Sequence, residues 1–132
     1  VLDTSAIIDL LRGGEEVKPI IESAEKTGNP VAATTVSLFE LLSPVYHRRL
    51  HQEEKILRAF ATRAVLLGLD RNAAEEASKI MGSLLRMGKP INALDALICG
   101  IAVSNAAEYV VTSDHDFQEV GKVSDIQIRL IR

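Results

Sequence analysis

Four acids stand where a charged side chain is hard to explain. Asp95 lies in Ala93-Leu94-Asp95-Ala96-Leu97-Ile98-Cys99-Gly100-Ile101-Ala102-Val103, a run that is otherwise apolar or small. Read as a helix, this run is hydrophobic all round, the mark of a buried segment. A buried carboxylate without a partner is costly and takes up a proton sooner than stay charged. Something must therefore compensate Asp95. Asp3 follows the apolar stub Val1-Leu2, Glu40 sits in Leu38-Phe39-Glu40-Leu41-Leu42, and Asp114 comes just past Tyr109-Val110-Val111-Thr112. Four converging carboxylates repel one another unless a cation lies between them. The expectation is a divalent-metal site, and through it phosphate chemistry. A hard, oxygen-only shell suits Mg²⁺ or Mn²⁺ better than zinc.

Each acid also has a plainer reading. Asp3 can be a helix cap, unless Thr4 or Ser5 takes the cap and frees the carboxylate. Glu40 shares a helical face with Ser37, Ser43 and His47, as a solvated side chain would. Asp95 falls three residues after Asn92 and can complete a cap. That explains its backbone position, but not Ile91, Ile98, Cys99 and Ala102 on the same face. Of Asp114 and Asp116, one is expected to cap the following turn. Asp114, nearer the strand end, is the better ligand candidate and Asp116 the reserve.

The elements that must position these acids alternate between short apolar strands and longer helices. Val1-Leu2 reads as the tail of a strand, followed by a helix over 6–11 that Gly13-Gly14 stops. A second helix over 15–26 presents Val17, Ile20, Ile21 and Ala24 on one face. A strand over 31–34 turns at Thr35 into a helix over 36–46, and a polar helix spans 49–63. A strand over 64–69 leads to a helix over 71–86 capped by Asp70 and ended by Gly88-Lys89-Pro90. Asn92 caps the helix over 93–106. A strand over 109–112, a short turn or helix over 116–120 and a strand over 127–131 complete the chain. This alternation predicts an α/β domain with a mostly parallel central sheet covered on both faces. Ligands in such sheets bind at the carboxyl ends of the strands, which is where Asp3 and Asp114 fall.

Composition narrows the rest. A chain of 132 residues, 47% hydrophobic, suggests one domain over residues 1–132 with a substantial core. No apolar run is long enough to span a bilayer, and the single cysteine, Cys99, excludes an internal disulfide and a cysteine-rich zinc site. A cytoplasmic protein is expected, with Cys99 a small core residue. The net charge of −3 argues against a broad nucleic-acid-binding surface but not against a local one. His47, Arg48, Arg49, His51, Lys55, Arg58 and Arg63 crowd one stretch in which Glu53 and Glu54 are the acids. This reads either as a solvated helix with pairs such as Glu54 with Arg58, or as a phosphate-contacting strip.

Taken together, Val1-Leu2-Asp3-Thr4-Ser5, Ser37-Leu38-Phe39-Glu40-Leu41-Leu42, Leu94-Asp95-Ala96-Leu97-Ile98 and Val111-Thr112-Ser113-Asp114-His115-Asp116-Phe117 resemble a PIN domain. More narrowly they resemble the VapC-type toxins of bacteria and archaea. The resemblance covers nearly the whole chain in order and spacing. It implies a three-layer α/β/α fold and a Mg²⁺- or Mn²⁺-dependent ribonuclease acting on RNA phosphodiesters. It also implies a homodimer and a small VapB-like antitoxin. By that match Asp3, Glu40, Asp95 and Asp114 are the catalytic acids, with Asp3, Asp95 and Asp114 on the metal. Ser5 and Thr112 are implied as donors that orient them, and Asp116 remains the alternative fourth acid. A PIN-type nuclease of RNA processing, or a silent PIN-like scaffold, would carry the same residues. A haloacid-dehalogenase-type phosphatase would place a second Asp where Ser5 stands. A response-regulator receiver would pair acids at the end of the first strand, and none are paired there.

Overall fold

The computed structural model describes residues 1–132. The elements are α1 (Thr4–Leu11), α2 (Val17–Lys26), β1 (Ala32–Thr34), α3 (Thr35–Arg48), α4 (His51–Arg63), β2 (Val65–Leu67), α5 (Arg71–Arg86) and α6 (Ala93–Ser104). They are followed by β3 (Tyr109–Thr112), a 3₁₀ helix (His115–Glu119), α7 (Val120–Val123) and β4 (Gln127–Leu130). No helix is long and apolar enough to cross a membrane.

β1 pairs with β2 and β3 with β4, both in parallel. Residues 1–3 bridge the two pairs. The Leu2 amide donates to the Ala32 carbonyl at 2.8 Å, and the Asp3 amide donates to the Val111 carbonyl at 3.0 Å. Leu2 itself forms a parallel bridge with Val111. Across the molecule the order is therefore β2, β1, residues 1–3, β3, β4. Counted along the chain, that is third, second, first, fourth, fifth. The order reverses between residues 1–3 and β3, and in open α/β sheets the ligand crevice lies at the carboxyl ends of the strands at such a reversal. Asp3 and Thr112 end the two strands that flank it.

Successive strand residues face opposite sides of a sheet, and the core divides accordingly. Val110 packs with Leu84, Phe117 and Val120, whereas Val111 packs with Ile7, Val17 and Ile20. Helices thus cover both faces, and the three-layer α/β arrangement expected from the strand–helix alternation is the one observed. A third cluster of Val36, Ala73, Ile98 and Ile101 ties α3 to α5 and α6. The helices that carry Glu40 and Asp95 are therefore packed as one unit. α5 and α6 cross closely at Gly100. A Cβ there would lie 2.4 Å from the Ala73 carbonyl oxygen and 2.6 Å from the Ala77 Cβ. No side chain fits between the two backbones.

Local signals set most boundaries. Asp70 accepts from the Ala73 amide and Asn92 from the Leu94 amide, each at 2.9 Å, opening α5 and α6 where expected. Three local expectations are corrected. Neither Thr4 nor Ser5 caps α1; the Asp3 side chain does, accepting from the Ala6 amide at 2.8 Å. α3 runs to Arg48 rather than ending at residue 46; the exposed Pro44 within it, as expected, removes a single backbone bond without stopping the helix. Arg49 does not open α4. It ends α3 in the left-handed conformation (φ 55°), and α4 begins at His51.

Candidate active site

Asp3 is the most enclosed of the four acids, with 3% of its surface exposed. Its position is fixed by three donors. Oδ1 accepts from the Ser5 hydroxyl at 2.7 Å and from the Ala6 amide at 2.8 Å, and Oδ2 accepts from the Thr112 hydroxyl at 2.6 Å. A carboxylate offers about four lone-pair directions, so one on Oδ2 stays open. Burial raises the Asp3 pKa and Asp114 adds to the rise, while the Thr112, Ala6 and Ser5 donors work against it.

Thr112 joins the first acid to the fourth. Its fully buried Oγ1 accepts from the Asp114 amide at 2.9 Å while donating to Asp3. Ser5 Oγ likewise accepts from the Ser113 amide at 2.9 Å. The ends of the first strand and β3 are thus tied together through two hydroxyls. Asp114 caps the 3₁₀ helix, accepting the Asp116 amide on Oδ1 at 2.9 Å. Capping occupies one oxygen and leaves Oδ2 for another partner, so capping and ligation are not exclusive. Asp116 is exposed.

Glu40 is not a freely solvated side chain. Its Oε1 accepts from the Thr4 hydroxyl at 2.7 Å, and Thr4 Oγ1 lies 2.9 Å from Ser37 Oγ. Ser37 is fully buried against Thr34, whose Oγ1 accepts the Ser37 amide at 3.1 Å and so caps α3. Sequence reasoning missed Thr4 and Ser37. The signal was the pair Thr4-Ser5: neighbours on a helix point about 100° apart, so the two hydroxyls serve different acids.

Asp95 stands in the first turn of α6. Burial, then repulsion from Glu40, Asp114, Asp3 and Asp116 in that order, pushes its carboxyl up to about 6. Acids from four separate elements therefore act on one another, and Asp114 acts more strongly on Asp95 than Asp116 does. Cys99, one turn along α6, is fully buried, and its thiol is pushed up to about 12 by burial and then by Asp95 and Asp3. It holds no thiolate at neutral pH.

The donor chemistry fits a hard divalent cation: carboxylate oxygens only, under mutual repulsion that a dication would relieve. No three acids, histidines or cysteines stand at metal-binding spacing. The fit is therefore one of donor type and convergence, not of a preformed shell. A cavity of about 480 Å³ lies at the other end of the strands, among Val1, Ile20, Ala24, Val31, Ala106 and Tyr109. It contains none of the four acids.

A family description of the PIN domain matches residues 1–123. The tRNA(fMet)-specific endonuclease VapC of Shigella flexneri is 27% identical over 89 residues, which cover 67% of each chain. The structure of VapBC2 from Rickettsia felis bound to a DNA fragment from their promoter superposes with a TM-score of 0.85 at 19% identity, over 99% of this chain and 97% of that one. FitAcB from Neisseria gonorrhoeae superposes with a TM-score of 0.66 at 27% identity, over 97% and 94%.

Proposed function

The chain belongs to the PIN domain family, and from that premise we propose that it is a metal-dependent endoribonuclease, the toxin of a toxin–antitoxin pair. The observation that carries this reading is the repulsive load on Asp95 from Glu40, Asp114 and Asp3 at the carboxyl ends of parallel strands. A fold pays for such a load when function requires it.

Asp3, Asp95 and Asp114 are the residues that would hold Mg²⁺ or Mn²⁺. The bound ion supplies Lewis-acid stabilisation of phosphate charge. The rest of the work falls to the chain. Thr112 and Ser5 fix the Asp3 carboxylate while leaving one lone pair on Oδ2 unused, and Thr112 sets the backbone from which Asp114 projects. Glu40 has Oε1 engaged by Thr4, which leaves Oε2 to accept a proton from the attacking water. Without a cation the acids repel the RNA backbone, so metal binding and substrate binding are coupled.

The partners follow from the same reading. The solved complexes of the Rickettsia and Neisseria relatives support a VapB-like antitoxin as partner. Phe39 and Tyr46 stand exposed on one stripe of α3 and supply uncovered apolar surface for a homodimer or antitoxin contact. Transfer RNA, the substrate named for the Shigella relative, is the first RNA to assay.

The test is cleavage of tRNA and of single-stranded RNA with Mn²⁺ and with chelator. Wild type cleaves only with the metal. Asp95→Asn loses more than about 100-fold, beyond what removing a merely supporting group costs. Full metal-dependent cleavage by a folded Asp95→Asn protein overturns the assignment.

A further inference from the structure

The chain carries net charge −3, yet five of its cations, Arg48, Arg49, Lys55, Arg58 and Arg63, lie between residues 47 and 63 against two acids, Glu53 and Glu54. The structure sorts them. Arg58 is neutralised by Glu54 at 2.8 Å, as an ordinary solvated pair along α4. Arg48, Arg49 and Lys55 are exposed and have no acidic partner within ion-pair distance, and His47 and His51 are exposed beside them. The corner where α3 meets α4 therefore carries three unpaired cations against one exposed acid, Glu53, on an acidic protein.

The patch is continuous with the site. His47 is seven residues beyond Glu40 on α3, so the two share one helical face about 10 Å apart along the axis. One strand of RNA lying on Glu40 and running along α3 reaches the corner. The bland account is that cations at the end of α3 complement its dipole. That account suits Arg48 but not Lys55, which stands on α4 just past a first turn that holds Glu53 and Glu54. Nor does it explain Arg49, which holds a left-handed backbone (φ 55°) that glycine adopts at less cost.

Resting on the ribonuclease reading, we infer that His47, Arg48, Arg49, His51 and Lys55 form a backbone track that grips RNA phosphates on one side of the bond that is cut. The occupant is single-stranded RNA, selected by charge and by continuity with the acids along α3. The track binds without reading bases, because the charges of Arg48, Arg49 and Lys55 pair with phosphates, which carry no sequence information.

The experiment uses the full chain in the Asp95→Asn background with a fixed Mn²⁺ concentration, so that repulsion by the acids is relieved while the variant leaves the RNA largely uncut. A labelled single-stranded oligoribonucleotide is titrated across a KCl series. Replacing Arg48, Arg49 and Lys55 together by neutral residues is expected to weaken binding at least tenfold at 0.1 M salt. The slope of log affinity against log salt should flatten by about 2, since each phosphate contact on a single strand contributes about 0.7. Arg49→Gly alone keeps or raises the melting temperature while weakening binding, which separates charge from fold. An unchanged slope in the triple variant overturns the track and leaves the nuclease reading standing, because that reading is tested separately by wild-type cleavage. Binding of poly-glutamate through the same three residues, with no binding of RNA, overturns the track in favour of an acidic protein partner.

Discussion

Removing the Asp95 charge should make the metal-free protein more stable, and the amount follows from its surroundings. Burial and four neighbouring acids raise its carboxyl from 3.8 to about 6. The folded state thus holds the proton in a pH range where the unfolded chain has released it. Between those two values the folded state binds more protons, so stability falls as pH rises, and the loss is complete above pH 6. The interval corresponds to about 3 kcal/mol. Asp95 is only half-buried, and solvent screening reduces this to about 1.5 kcal/mol. The carboxylate also favours the amino end of α6, a benefit of about 0.5 kcal/mol that Asp95→Asn forfeits. The net gain is about 1 kcal/mol. A domain of this size has an unfolding entropy of about 0.28 kcal/mol per kelvin, so the melting temperature rises by about 4 °C. The assay is thermal unfolding of both proteins in chelator at pH 7.5 and at pH 3.5, repeated at pH 7.5 with Mn²⁺. The variant is expected to melt higher at pH 7.5, to lose that advantage at pH 3.5, and to gain less from Mn²⁺ than wild type. A variant no more stable than wild type in chelator at pH 7.5 refutes the reasoning, as does a gain that persists at pH 3.5.

Two further substitutions probe the scaffold. Gly100→Ala places a methyl within 2.6 Å of Ala73 and Ala77 atoms; overpacking should cost about 2 kcal/mol despite the better helix propensity of alanine, seen as a melting temperature lower by about 7 °C. Thr112→Val keeps the shape but removes the donor to Asp3 Oδ2 and the acceptor of the Asp114 amide. It should cost about 2 kcal/mol at pH 7.5 by urea denaturation, and less at pH 3.5, where Asp3 is protonated and needs the donor less.

Much of this arrangement could be read from the residues in order. Asp70, Asn92 and Gly88 mark helix ends by local chemistry, and α5 and β3 fall where their patterns put them. The boundaries that moved are those where local signals compete. The helix expected to end at residue 46 continues to Arg48, and Arg49 reads as a helix start yet takes the left-handed turn between two helices. At the site, the acid types and their apolar neighbourhoods were visible in the sequence. The hydroxyls were harder, because Thr4 with Glu40 and Thr112 with Asp3 are contacts between residues 36 and 109 positions apart. Nothing local tells which acid each hydroxyl serves. Asp3 reads as either cap or ligand, but capping occupies Oδ1 and leaves a lone pair on Oδ2, so the alternatives do not compete.

The reversal of strand order beside Asp3 bears on how such a protein can change over generations. The crevice lies at the middle of the layer, whereas β2 and β4 form its margins. Loops and strands at either margin can be lengthened, shortened or traded without moving the reacting groups. Variety in partners and targets can accumulate at the periphery while the chemistry in the centre stays the same.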